Sequence, residues 1–189
     1  TVRILHVQDL RIAFRGLVAL NGISFAVEEG QIFGLIGTNG SGKSTFFNCV
    51  NRLYKPQKGR ILYKESIDLL KQPTHRIAKL GISRTFQNLE LFYYTRVLDN
   101  IMVGLHPRLK FLRLLKSRSP RTFGTQWDWD KDEAFRILDF LGITRFHGRL
   151  VSGLPYGLQK LIELGRALAS KPKLLLLDEP SAGMNEQET

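Results

Sequence analysis

The chain has 189 residues, the size of one domain with room for a small inserted subdomain. Hydrophobic residues make up 43% and charged residues 24%, a composition that supports a sizeable core and argues against extensive disorder. The single cysteine, Cys49, excludes an intrachain disulfide and favours a reducing compartment. No apolar run approaches the roughly 20 residues that cross a bilayer, so we expect any membrane role to be peripheral.

The formal net charge of +11 is unevenly distributed. Over half of the excess lies in one basic segment, residues 107–121, which contains no acidic residue. Its basic residues are Arg108, Lys110, Arg113, Lys116, Arg118 and Arg121. Such a segment is consistent with a solvated helix face, with contact to anionic lipid headgroups, or with contact to nucleic acid.

The first half of the chain predicts alternating strands and helices. Strand-like runs at residues 2–7 and 23–27, with turns expected at Arg15-Gly16 and Asn21-Gly22, indicate an antiparallel layer. The elements predicted after it are a strand at 31–36, a helix at 43–51, a turn at 55–59, a strand at 60–63, a helix at 74–80 and a strand at 82–86.

Residues 37–44 read G-T-N-G-S-G-K-S, a complete phosphate loop between a predicted strand and a predicted helix. Its glycines allow backbone N–H groups to surround an anion at the positive end of a helix. Lys43 would reach the β- and γ-phosphates, and Ser44 would hold Mg²⁺. The alternative is a Gly-rich turn that binds no nucleotide. The predicted nucleotide-binding residues are Gly37, Thr38, Asn39, Gly40, Ser41, Gly42, Lys43, Ser44 and Thr45.

The pattern changes to helical after Gln87. The helices predicted from apolar spacing are residues 95–105, 109–116, 131–141 and 158–170. Residues 117–130, which contain Pro120, Gly124 and both tryptophans, are predicted to form a loop. This succession of predicted helices indicates an α-helical insert within the α/β part of the chain.

A second acidic site follows four consecutive leucines, residues 174–177, which predict a buried strand. Asp178 and Glu179 stand at its carboxyl end, where an open parallel sheet displays functional groups. We expect Asp178 to help hold Mg²⁺ and Glu179 to orient or deprotonate an attacking water. The alternative is a pair of acids that only solubilise a turn.

The order of these motifs resembles that of the ATP-binding subunits of ABC transporters. The phosphate loop is followed by Gln87, by L-P-Y-G-L-Q at residues 154–159, by the acidic strand, and by S-A-G-M-N at residues 181–185. The string R-T-F-Q at residues 84–87, the L-P-Y-G signature and the basic segment are most similar to the class that energises high-affinity branched-chain amino acid import.

This resemblance implies a P-loop NTPase core with a mostly parallel central sheet, an N-terminal antiparallel β layer and an inserted α-helical subdomain. The implied divisions are a nucleotide-binding core at 1–88, the helical subdomain at 89–157, and the signature helix with the acidic strand at 158–189. It also assigns Phe14 to stacking on adenine, with a core phenylalanine as the alternative. Gln87 would sense Mg²⁺ and the attacking water and link the helical subdomain to a membrane subunit.

In the family, the signature segment of one subunit caps the γ-phosphate bound by another. The matching residues here are Pro155, Tyr156, Gly157, Leu158 and Gln159. Pro155, Tyr156 and Leu158 depart from the common L-S-G-G-Q form, so a hydroxyl contact to phosphate is lost while backbone N–H groups near Gly157 remain. This departure favours an asymmetric pairing with a paralogous ATPase subunit, and the alternative is a homodimer of identical subunits.

The sequence stops at Thr189, where relatives continue with further strands and a switch histidine, so the C-terminal part of the usual cassette is expected to be absent. Since none of the four histidines stands in the matching place, we expect this polypeptide alone to bind Mg-ATP weakly and to hydrolyse it poorly.

The function implied is ATP binding and hydrolysis that powers branched-chain amino acid import. The protein would lie on the cytoplasmic face of the inner membrane, with integral membrane subunits and a second ATPase subunit as partners. Phe92, Tyr93 and Tyr94 would contact the membrane subunit unless they pack in the core. One alternative is an ABC-type ATPase acting on nucleic acid or ribosomes, for which the net charge would supply phosphate contacts. Another is a nucleotide-binding module with a purely structural role.

Overall fold

The computed structural model describes residues 2–87, 89–105 and 120–180, with the backbone alone for residues 120–129. The chain divides into two compact units, Thr1–Leu80 and Gly81–Thr189. The first unit contains β1 Arg3–Phe14, β2 Leu17–Glu28, α1 Lys43–Val50, β3 Lys58–Tyr63, β4 Ile67–Asp68 and α2 Thr74–Lys79. The second contains β5 Ile82–Arg84, α3 Val97–Leu105, α4 Pro120–Phe140, α5 Tyr156–Ala169 and β6 Leu174–Leu176.

The first unit is built on a four-stranded antiparallel sheet with the strand order β2-β1-β3-β4. Its buried residues include Leu5 and Val7 of β1 and Ile61 and Tyr63 of β3, which alternate along their strands as a half-buried sheet requires. Helix α1 joins this core through Phe46, whose ring meets that of Phe25 edge-on at 5.2 Å. The predicted antiparallel layer is therefore present.

The hairpin between β1 and β2 turns at Arg15 and Gly16, as predicted. Both residues have positive φ, 46° and 89°, which a two-residue hairpin turn of matching twist requires. The turn predicted at Asn21-Gly22 is wrong, because Asn21 pairs with Arg11 inside β2. Gly22, with φ of 71°, instead lies where the register of the two strands shifts, which is the behaviour of a β-bulge.

The strand predicted at residues 31–36 is also wrong, since the structure assigns these residues no strand. Ile32 is 100% and Ile36 96% exposed. An apolar run specifies a preference for burial, but a strand exists only where another backbone completes its ladder. The neighbouring predictions for α1, β3 and α2 are confirmed, because each predicted end lies within two residues of the observed end.

Within its described residues, the second unit combines a parallel strand pair with the α-helices α3, α4 and α5. Strands β5 and β6 pair in parallel, with Ile82 opposite Leu174 and Arg84 opposite Leu176. Helices α3 and α5 approach closely at Gly104, where an added Cβ would collide with the carbonyl oxygen of Arg166. The buried cluster among the helices contains Leu91, Val97, Ile101, Leu105, Ala134, Leu138, Ile143, Val151, Leu154, Ile162 and Ala169.

Helix α4 corrects the loop predicted at residues 117–130, because it begins at Pro120 and includes the predicted helix 131–141 up to Phe140. Proline is compatible with the first helical position, where its missing N–H has no intrahelical partner to lose. One interior glycine costs a helix only about 1 kcal/mol, which the rest of a 21-residue helix can offset. The helix predicted at 109–116 lies outside the described residues.

Candidate functional site

The loop at residues 37–44 is closed by its own lysine. The Lys43 ammonium donates to the carbonyl oxygens of Gly37 at 2.6 Å and Thr38 at 3.0 Å, and Ser41 N–H donates to the Thr38 carbonyl at 3.1 Å. Because Nζ lies across the loop, the positive charge is held over the concave backbone rather than extended into solvent. The structure thus brings the predicted lysine and the glycine-rich backbone together.

Helix α1 presents its N-terminus to this loop. It begins at Lys43 after Gly42, whose φ of 96° is accessible to glycine and strained for other residues. No side chain caps this end, and no acidic residue in the first turn offsets the positive pole of the helix dipole. An added Cβ at Gly42 would also lie 2.5 Å from the carbonyl oxygen of Ala19. A charged phosphate group therefore fits the geometry and the sign of the charge.

Phe14, the predicted adenine-stacking residue, lies at the end of β1 next to the hairpin turn. The residue is 40% exposed, and its ring meets that of Tyr54 edge-on, with ring centroids 5.1 Å apart. Phe14 is therefore not a core phenylalanine, and part of its ring is accessible to a ligand. Tyr54, which follows α1, was not predicted to belong to this aromatic pair.

In the second unit, Asp178 follows β6 and is almost fully buried. Its carboxylate Oδ2 accepts a hydrogen bond from Nη2 of Arg84 at 2.8 Å, and its backbone N–H donates to the Thr85 hydroxyl at 3.3 Å. Arg84 and Asp178 meet because β5 and β6 run in parallel and end together. Arg84 belongs to the R-T-F-Q motif at residues 84–87, and nothing in that motif predicts this ion pair.

Gln87 and Glu179 also meet, since Nε2 of Gln87 donates to Oε2 of Glu179 at 3.2 Å. Glu179 has φ of 48°, a backbone conformation that costs a non-glycine residue energy and often occurs at functional sites. The two residues predicted to handle the attacking water are therefore neighbours. Their contact joins positions 92 residues apart in the chain.

The signature residues 154–159 form the beginning of α5. Pro155 is the N-cap and Tyr156 the first helical residue, 42% exposed. Gly157 is buried, and Leu158 packs against the helical core. The Gln159 amide donates to the Leu154 carbonyl oxygen at 2.8 Å, so this side chain fastens the turn that leads into the helix.

Two further charged residues of α5, Lys160 and Glu163, are buried and contact the backbone that leads to Gln87. Sequence reasoning missed them, although charged side chains flanked by Leu161, Ile162 and Leu164 on a helix could have signalled burial. Nearby, burial lowers the pKa of Arg166, and the carboxylates of Glu163 and Glu90 partly oppose that shift.

Some predicted residues lie outside the part of the chain that the structure describes. These are residues 107–119 of the basic segment and the S-A-G-M-N string at 181–185. Across the described ranges, no helix is both long enough and apolar enough to span a bilayer.

Comparison with known proteins gives consistent results at the levels of family, sequence and fold. A family profile described as ABC transporter matches residues 20–182. The chain is 39% identical to the high-affinity branched-chain amino acid transport ATP-binding protein LivG of Salmonella typhimurium, over 98% of this chain and 72% of that protein. It is 38% identical to the corresponding protein BraF of Pseudomonas aeruginosa, with the same coverage of both chains.

The ADP conformation of MJ1267, an ATP-binding cassette of an ABC transporter, superimposes with a TM-score of 0.78 at 31% identity. That alignment covers 100% of this chain and 73% of the other. The fold class and the resemblance predicted from the motifs are both confirmed. This chain belongs to the ABC transporter family.

Proposed function

We propose that this chain is an ATP-binding and ATP-hydrolysing subunit that powers the import of branched-chain amino acids through an ABC transporter. The observation that carries the proposal is the phosphate loop, with the Lys43 ammonium held over its backbone at the start of α1. The relatives named for branched-chain amino acid transport support the substrate class.

The first unit supplies the phosphate contacts. In the proposal, Lys43 exchanges its bonds to the Gly37 and Thr38 carbonyls for bonds to the β- and γ-phosphates, while backbone N–H groups of residues 38–45 surround them. Phe14 stacks on the adenine through the exposed part of its ring.

Ser44 and Asp178 are the residues proposed to hold Mg²⁺, and Gln87 to sense it. No group of three or more His, Cys, Asp or Glu side chains suited to a metal occurs among the described residues. In nucleotide sites Mg²⁺ takes most of its ligands from phosphate oxygens and water, so that one or two protein ligands suffice. Bound there, Mg²⁺ would offset the negative charge of the phosphates.

The second unit supplies the groups for hydrolysis. Glu179 orients the attacking water and accepts its proton, and Gln87 holds the carboxylate oxygen Oε2 in place through the 3.2 Å hydrogen bond. The positive φ of Glu179, close to the end of β6, is the kind of backbone strain that clusters at functional sites.

An aromatic surface made of Phe92, Tyr93 and Tyr94 is proposed to contact the membrane subunit. These residues are 52%, 39% and 89% exposed, so they are not accounted for by core packing. Asn100, fully buried, holds the loop that carries them: its Oδ1 accepts from Phe92 N–H at 2.9 Å, and its amide donates to the Phe92 carbonyl at 3.1 Å. A rigid, exposed aromatic group is what a docking surface requires.

A second ATPase subunit is proposed to complete the site, with the segment at 154–159 facing its γ-phosphate. Backbone N–H groups at the start of α5 and the positive pole of its dipole would provide that contact. Because Leu158 and Gln159 are engaged within their own subunit, side-chain contributions are weak, which favours a paralogue as the partner. The complex would lie on the cytoplasmic face of the inner membrane.

Purification of the affinity-tagged full-length protein from detergent-solubilised membranes tests the proposal. We expect integral membrane subunits and a second ATPase to co-purify, and proteoliposomes of this complex to take up leucine only with internal Mg-ATP. The Glu179→Gln complex is the matched control, which should assemble and bind ATP without driving uptake. Recovery of ribosomes or nucleic acid in place of membrane subunits would contradict the proposal.

A further inference from the structure

We propose that Lys160 and Glu163 are positioning residues, which hold the backbone at Phe86 and Gln87 and thereby link the signature helix α5 to the Gln87–Glu179 pair. The inference rests on the proposed ATPase function. Glu163 Oε1 accepts a hydrogen bond from Phe86 N–H at 3.0 Å. The Lys160 ammonium donates to the carbonyl oxygens of Phe86 at 3.4 Å and Gln87 at 3.2 Å.

The two side chains lie one turn apart on the same face of α5, so they act on the backbone as a clamp of fixed spacing. Phe86 is bonded through both its N–H and its carbonyl group, and Gln87 through its carbonyl. With three main-chain groups held, the Gln87 Cα has little freedom to move independently of α5. The Gln87 side chain then reaches Oε2 of Glu179.

Burial makes this clamp costly as a purely stabilising device. Lys160 is 7% and Glu163 1% exposed, and one carboxylate oxygen of Glu163, Oε2, has no hydrogen-bond partner among the described residues. Buried charges lose hydration, and well-packed apolar residues in their place are often equally stabilising. Fixing a particular backbone position is a use for which charged, directional hydrogen bonds are better suited.

The clamp lies within the same helix as the signature segment, since α5 begins at Tyr156 and Lys160 follows one turn later. A displacement of this helix is therefore passed to Gln87 through three hydrogen bonds rather than through flexible side chains. The contact between Gln87 and Glu179 then depends on where the signature helix lies. Hydrolysis in this subunit would respond to the engagement of its own signature segment.

The test compares variants that remove the hydrogen bonds of the clamp with variants that keep them. Lys160→Met and Glu163→Leu keep roughly the same side-chain volume and remove the hydrogen bonds. Lys160→Arg retains the hydrogen-bond donor, and Glu163→Gln retains the hydrogen-bond acceptor. Lys171→Met is the matched control, because Lys171 pairs with Glu133 and is 56% exposed. Each full-length variant is assayed for ATP affinity, for kcat and KM of hydrolysis, and for amide hydrogen exchange of residues 84–90.

We expect the clamp-breaking variants to lower kcat about tenfold or more, with ATP affinity changed less than about twofold, the pattern of a group that acts in the transition state. Amide exchange at Phe86 should accelerate in Glu163→Leu and stay slow in Glu163→Gln. Folded clamp-breaking variants with parental kcat and parental Phe86 exchange would overturn the inference. If the parent hydrolyses no ATP, the proposed function fails, while the exchange measurement still decides whether the clamp exists.

Discussion

The carboxylate of Asp178 and the guanidinium of Arg84 form a buried ion pair, with Oδ2 and Nη2 2.8 Å apart and side chains only 3% and 5% exposed. The pair lies where the parallel strands β5 and β6 end. Its two residues are 94 positions apart along the chain. Since Asp178 is also the proposed carboxylate for Mg²⁺, Arg84 both neutralises and orients a group that must later face a cation.

Replacement of Arg84 by Met should destabilise the protein by about 3–5 kcal/mol, because it leaves the Asp178 carboxylate buried without its guanidinium. Urea unfolding monitored by circular dichroism measures the effect. The control is Lys71→Met, which removes a 3.9 Å pair to Asp68 from a side chain that is 78% exposed, and it should change stability by less than about 1 kcal/mol. Equal effects of the two substitutions would contradict a dominant role for burial.

Gly42→Ala should weaken ATP binding about tenfold or more, since the new Cβ meets the Ala19 carbonyl and φ of 96° costs a side-chain-bearing residue on the order of 1–2 kcal/mol. A fluorescent ATP analogue titrated against the folded variant measures this. Gly34→Ala is the matched control, because a Cβ added there would meet no heavy atom within 4 Å beyond its immediate chain neighbours. Unaltered affinity in Gly42→Ala would show that the loop tolerates a different backbone path.

Glu179→Gln should lower kcat for ATP hydrolysis about 10²–10⁴-fold, because the amide can accept a hydrogen bond from water but cannot take its proton. ATP binding should remain within about twofold of the parent, since the side chain keeps its size and the hydrogen-bonding position facing Gln87. Phosphate release and equilibrium binding are measured on the same preparation. A variant that hydrolyses ATP at the parental rate would assign the base to another residue.

Asn100→Ala should destabilise the second unit by about 1–3 kcal/mol, because it removes the hydrogen bonds that a fully buried amide makes to the loop at 92–96. We also expect faster amide exchange at Phe92 and weaker retention of the membrane subunits. Asn21→Ala, at an exposed position of β2, is the control and should alter neither property. Normal retention despite rapid exchange would separate the aromatic surface from partner binding.

Cys49 should make stability fall at high pH. Burial raises the pKa of its thiol from 9.0 to about 11, so between these values the unfolded chain loses the proton while the folded chain keeps it. The protonated Cys49 thiol makes its full contribution to the free energy of unfolding below pH 9, and this contribution is lost as the pH rises through about 11. Thermal unfolding of the parent and Cys49→Ala across this range measures the difference. A steeper fall in Cys49→Ala than in the parent would contradict the assignment.

Local patterns predicted much of the first unit. The apolar spacing and flanking glycines located α1, β3 and α2, and the motif G-T-N-G-S-G-K-S located a loop whose lysine, glycines and helix N-terminus the structure brings together. These succeed because a helix or a turn is specified by residues within a few positions of one another. The fold class followed from the order of the motifs, which the family match confirms.

Two of the failures, the turn predicted at Asn21-Gly22 and the loop predicted at 117–130, share one cause. Asn21-Gly22 has the composition of a turn, yet it lies in β2 because Arg15 and Gly16 already close the hairpin and the paired strand continues past it. Pro120 and Gly124 have the composition of a loop, yet the backbone there is the first part of α4. In each case pairing or helix continuation outweighed local propensity.

The sequence by itself determined which chemistry this protein carries. The residue types that this chemistry needs occur in two short motifs, the phosphate loop and the acidic pair after the leucine strand, and both can be recognised in the sequence. The tertiary structure alone decided which of them meet: Arg84 with Asp178, Gln87 with Glu179, and Lys160 and Glu163 with the backbone before Gln87. The physical reason is distance along the chain. Contacts between residues some 70 to 94 positions apart depend on strand pairing and helix packing, which no local pattern encodes.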